Sequence, residues 1–80
     1  MKLGGTRDGN PDEHFVIAAV VDGKWTCAVD DDGAMDIYWS RNPEADPDIR
    51  EAVERTRQEY GPTARAMTVR EFQKASAVPA

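Results

Sequence analysis

One cysteine and one histidine in 80 residues leave little room for several kinds of chemistry. A single thiol cannot form an intramolecular disulfide, and without a cysteine and histidine cluster there is no ligand set for a structural zinc site. The fold must therefore hold by packing, alone or with a partner. Long hydrophobic runs are lacking too: the longest, "FVIAAVV", is too short to span a bilayer, and the polar, glycine-rich start "MKLGGTRDGNPDEH" is unlike a secretion signal. The chain is expected to be soluble and cytoplasmic. At this size folding buries roughly 60 to 65% of the surface of the unfolded chain, so a single compact domain is expected, with no cleft between domains.

Basic charge is scarce in the front half. Residues 1–48 carry 11 acids and 4 bases, whereas residues 49–80 carry 4 acids and 6 bases, for a formal net charge of −5. Seven Arg against three Lys, with eleven Ala, fit a GC-rich bacterial or phage genome. That is a hint about origin and carries no mechanism.

Residues 1–13 hold three Gly, one Pro and no apolar periodicity, so they are expected to form a flexible N-terminal arm ahead of a single α+β domain, residues 14–80. "HFVIAAVV", "DG" and "KWTCAVD" then make two strand-like runs around Asp22-Gly23, a preferred type I′ hairpin turn. The turn sets a register: Val21 faces Lys24, Val20 faces Trp25, Ala18 faces Cys27 and Val16 faces Val29. A third run, "AMDIYWS", alternates with period two. If Asp31-Asp32-Gly33 is a three-residue bulged turn, then Val29 faces Met35, Cys27 faces Ile37 and Trp25 faces Trp39, all on one apolar face. A two-residue turn would set Cys27 against Asp36 and bury a carboxylate.

Asp46 as N-cap, Pro47 at the first helical position and Gly61-Pro62 as the stop bound a helix. Its stripe of Ile49, Ala52, Val53, Thr56 and Tyr60 is expected to cover the Trp25/Trp39 face. "TARAM" suggests a short fourth strand. Thr68 and Glu71 have the spacing of a capping box, so a second helix is expected over about residues 69–76. The architecture expected is thus α+β: a three-stranded antiparallel meander packed on one main helix, then a short strand and a short C-terminal helix. Comparable meanders followed by a helix occur in double-stranded-RNA-binding, toxin–antitoxin and integrase-arm modules, whose motifs are absent here.

Two surfaces stand out as candidates for partner binding. The register brings Asp12, Glu13, Asp30, Asp31, Asp32 and Asp36 towards one end of the sheet, an acidic pole able to steer a basic partner or imitate a phosphate backbone; solubility with internal compensation by Arg55, Arg57 and Arg65 is the alternative. The second face of the first strand carries Phe15, Ile17, Ala19 and Val21, with Tyr38 beside them, and must be covered on that side by the C-terminal helix or by a protein partner. If a partner binds, strand addition is the expected mode, because the first strand is an edge unless "TARAM" pairs with it.

Other chemistries fit poorly. An EF-hand with Gly33 at its sixth position would need an oxygen ligand at Ala28 and a bidentate Glu at Trp39, so no metal site is assigned; a looser set of Asp30, Asp32 and Asp12 or Glu13 is the weak alternative. Trp25 and Trp39 as a base-stacking platform would need a basic groove, and the bases of the second half are interspersed with Glu51, Glu54, Glu59 and Glu71. Cys27 lies on the core face, with His14 far along the register, so no catalytic group is assigned. The reading is of a small acidic, non-enzymatic protein-interaction module without a cofactor, membrane contact, direct nucleic-acid contact or small-molecule substrate. Its partner would be a heterologous protein or a second copy. Its sharpest form is a phage-encoded accessory protein that inhibits a larger host protein by acidic mimicry, as some anti-CRISPR proteins do. A structural component of a virion or other assembly, and a weak divalent-metal-binding protein, are the alternatives.

Overall fold

A computed structural model describes residues 2–5, 11–29 and 35–77. Among them, five strands form one antiparallel sheet that carries two helices, the α+β architecture expected. The elements are β1 (Lys2–Gly5), β2 (His14–Val21), β3 (Lys24–Cys27), β4 (Asp36–Trp39), α1 (Pro47–Tyr60), β5 (Arg65–Thr68) and α2 (Val69–Ser76). Part of the N-terminal segment is docked, since β1 runs antiparallel to β4.

The hairpin forms as its turn residues require. Asp22 and Gly23 both have positive φ, 53° and 77°, the backbone of a type I′ turn, and Ala18 pairs with Cys27, Val20 with Trp25 and Val21 with Lys24. Past Ala28 the chain leaves the ladder. Ala28 N donates to Ile17 O at 3.0 Å, Val29 pairs with Met35 as expected, and Asp36 N donates to Ala28 O at 3.1 Å, closing an excursion over residues 29–35. The proposed bulged turn at Asp31-Asp32-Gly33 lies outside the described residues.

After this excursion β4 does not pair with β3. It pairs with β2, with Trp39 opposite His14 and Tyr38 opposite Phe15. Because β5 pairs with Phe15 through Ala18 and shares Phe15 with β4 and Ala18 with β3, the strands β3 and β4 lie on one edge of β2 and β5 on the other. In effect β3 and β4 are one long strand interrupted by the excursion. The expected facing pairs Cys27–Ile37 and Trp25–Trp39 are therefore not formed. Placing β4 directly on the central strand buries Ile37 on one face and Tyr38 on the other, at 1% and 3% exposure, and leaves Trp39 38% exposed.

The helix signals hold. Asp46 Oδ1 accepts from Asp48 N at 2.9 Å and Ile49 N at 3.2 Å, and Gly61, at φ 109°, donates its N–H to Arg57 O to end α1. Thr68 and Glu71 complete a capping box at α2, each side chain accepting the other's N–H at 3.1 Å.

The faces the helices cover are exchanged relative to the sequence-based expectation. One cluster joins Ile17, Tyr38, Ile49 and Ala52, with Phe15, Val53 and Ala66 against it, so α1 covers the Phe15/Ile17 face. The other joins Val16, Ala18, Ile37, Met67 and Val69, with Trp25, Cys27, Met35 and Phe72 against it, so α2 covers the Trp25 face. The reason is chirality. β4 and β5 both run antiparallel to β2, hence parallel to each other, and α1 connects them across β2. Such crossovers are almost always right-handed. The Ile17 carbonyl points to the β3 edge, and in a strand of L-residues this fixes the face on which its side chain stands. A right-handed β4–α1–β5 crossover lies over that face.

Candidate interaction surface

The apolar face of the first strand is largely covered within the chain. Ile17, Ala19 and Tyr38 are buried, with Phe15 and Val21 half-buried, and Phe15, Ile17 and Tyr38 pack with α1. The element covering the face formed by Phe15, Ile17, Ala19, Val21 and Tyr38 belongs to the same chain, and Phe15 also lines the groove described below. That element is α1, which handedness places there, and not the C-terminal helix.

The acidic pole also changes. Asp30, Asp31 and Asp32 lie outside the described residues. Asp12 is held by α2, where Arg70 Nε donates to Oδ1 at 2.5 Å and Nη2 to Oδ2 at 3.3 Å, and Arg70 N donates to Pro11 O at 2.9 Å. That hydrogen-bonded guanidinium holds the Asp12 carboxyl below its ordinary value and raises Arg70 in return. Glu13 is exposed and precedes His14, which pairs with Trp39 at the far end of the strand that Asp36 begins. Three residues of strand, about 10 Å, separate those two ends. Asp12, Glu13 and Asp36 thus do not converge as the meander register implied, because β4 runs along β2 and not along β3.

Trp25 is half-buried, packed against the α2-side core with the Arg65 guanidinium over its ring, 5.3 Å from the centroid. Cys27 is half-buried in the same cluster; burial pushes its thiol up and the charge of Asp36 adds to the shift. Among the described residues no three His, Cys, Asp or Glu side chains gather to hold a metal ion, and no helix is long and apolar enough to cross a membrane.

What the structure does assemble is a groove between α1 and β5, open to solvent and of about 790 Å³. Its apolar lining is Phe15 from β2, Ile49 and Val53 from α1, and Ala66 from β5. Pro43 and Glu44 stand at the end near the start of α1, and Arg50, Glu51, Glu54 and Arg57 project from the helix along its wall. Arg57 Nε donates to Ala64 O at 3.2 Å, fixing that guanidinium at the start of β5. Arg65 also lines the groove, although its guanidinium lies over Trp25 on the other face of the sheet.

The groove runs beside a strand edge. Residues of β2 with odd numbers turn their main-chain groups to β3, as Ile17 O shows, so even-numbered ones face β5. Val16–Met67 and Ala18–Arg65 are then the hydrogen-bonded pairs, and the N–H and C=O of Ala66 point outward, towards the groove. By the same alternation, Trp25 and Cys27 turn theirs to the outer edge of β3.

Sequence reasoning did not find this site. Its lining comes from residues 15, 43–57 and 65–66, which only the crossover brings together. The one available signal was the three-residue spacing of Asp48, Glu51 and Glu54, which leaves the first turns of the helix acidic despite Arg50. Compared with known proteins, the chain matches no family model, no curated protein and no solved structure.

Proposed function

We propose that the protein is a small acidic, non-enzymatic interaction module that binds and modulates a larger protein by holding a segment of it in the groove between α1 and β5. The observation that carries this reading is the pairing of an apolar floor with an outward-facing strand edge at one place. Strand addition obtains affinity from main-chain hydrogen bonds and selectivity from side-chain pockets, and the groove supplies both. A photo-crosslinking amino acid at Arg50, on the groove wall, tests it. The control is Glu59, nine residues on and half a turn round the helix. Capture of one discrete protein from position 50 and not from 59, competed away by unmodified protein, is the expected result; equal capture from both positions would refute it.

In its narrowest form the module is a phage-encoded regulator acting in the host cytoplasm, with Asp30, Asp31 and Asp32 imitating phosphates. Changing all three to Asn would then abolish binding of the captured protein. A second reading, a component of an assembly, draws on the outer edge of β3, where Trp25 and Cys27 offer main-chain groups to a second copy. Sedimentation at rising concentration separates the two, since a monodisperse monomer argues against self-assembly.

A further inference from the structure

Resting on the groove as a protein-binding site, we propose that its occupant is an extended, basic segment of the partner, with one apolar side chain flanked at the second residue on either side by lysine or arginine. A strand laid beside β5 presents every second side chain to the α1 face. The central one of these meets Phe15, Ile49, Val53 and Ala66, a floor with no polar side chain. Its neighbours on that face, two residues before and after, lie along the wall, where the carboxylates of Glu44, Glu51 and Glu54 outnumber the guanidiniums of Arg50 and Arg57. One of those two guanidiniums is oriented by its bond to Ala64 O and keeps its charge, so the wall's excess is one carboxylate. The rest of the molecule adds to the same sign, with a formal net charge of −5, so a basic segment is attracted at long range and matched at contact. The N–H and C=O of Ala66 supply one residue's pair of main-chain bonds, enough to set the register of a short segment while the side chains select it.

Three capped peptides probe this: Lys-Thr-Leu-Thr-Lys, Glu-Thr-Leu-Thr-Glu and Lys-Thr-Gly-Thr-Lys, each titrated into isotope-labelled full-length protein and followed by amide chemical shifts. An exposed ion pair changes affinity by up to about fivefold, so exchanging two attractions for two repulsions separates the first two peptides by on the order of tenfold. The expected result is that the lysine–leucine peptide binds at least that much more tightly than either of the others and shifts the amides of Ala66, Phe15 and Val53, leaving Trp25 and Cys27 unmoved. Glu54 is exposed, so Glu54→Lys keeps the fold; it should weaken the lysine–leucine peptide and strengthen the glutamate one. Equal binding of the lysine and glutamate peptides, binding of the glycine peptide as tight as the leucine one, or shifts confined to β3 would overturn the proposal. Capture at position 50 combined with indifferent peptides would overturn the occupant and leave the groove reading standing. Neither capture nor peptide binding would remove both.

Discussion

Which helix covers which face of the sheet can be decided by a double-mutant cycle on Ile17, Val16 and Ile49. Ile17 and Ile49 are 0% and 2% exposed and belong to one cluster, whereas Val16, also 0% exposed, stands on the opposite face with Val69 and Met67. Ile49→Ala should cost about 2–5 kcal/mol, Ile17→Val about 0.5–1.5 kcal/mol. A domain of this size has about 4–12 kcal/mol of stability in total, so this double variant stays measurable where two alanines would not. With Ile49 truncated, the methyl removed from Ile17 has lost part of its packing, and the two changes should be coupled by about 0.5 kcal/mol or more. Val16→Ala, whose neighbours lie across the sheet, should add to Ile49→Ala within about 0.3–0.5 kcal/mol. Urea unfolding reads this directly. At a slope near 1 kcal/mol per molar, each kcal/mol moves the midpoint by about 1 M. Coupling of Ile49 to Val16 and simple addition with Ile17 would place α1 over the Trp25 face and refute the handedness argument.

Three further outcomes follow from local features. Gly23→Val should destabilise the hairpin by about 1 kcal/mol or more, because φ at 77° is strained for a β-branched residue though nothing crowds the added carbon; thermal melting would show a loss of several degrees. Thr68→Ala removes half of the capping box and should cost about 0.5–2 kcal/mol, with the first turn of α2 gaining amide exchange while α1 does not. Asp12 is bound by Arg70 and its folded-state pKa is depressed, so its contribution is present above the unfolded carboxylate value near about 4 and is lost as pH falls through the lower folded value. Asp12→Asn should therefore flatten the acid limb of a stability-versus-pH profile, and an unchanged limb would show that the ion pair contributes nothing.

Local chemistry made much of the fold legible. Asp22-Gly23, Asp46-Pro47, Gly61 and the Thr68/Glu71 pair each name a turn or helix end in two or three residues, because each rests on a backbone angle or hydrogen bond made within that stretch. "TARAM" was readable as a strand for the same reason, lying between a helix stop and a helix cap. The groove was not readable in this way, since no short stretch contains it.

The third strand shows where such reading runs out. Alternation assigns Met35, Ile37 and Trp39 to one face and Asp36 and Tyr38 to the other, and it does so equally well whichever strand lies alongside. Counting Tyr38 with the polar residues favoured a tight turn onto β3. In the structure Tyr38 is 3% exposed and packs with Ile17 and Ile49, while Trp39 at the strand end is the more exposed ring. That single change of partner propagates. With β4 on β2, α1 becomes a crossover between parallel strands, and handedness then selects the face it covers. The same step covers most of the apolar face of β2 with α1 and moves the exposed edge outward to β5. The acidic first turns of α1 are thereby carried to the wall of the groove beside that edge. The candidate site is thus a consequence of strand order, and periodicity along a sequence does not encode strand order.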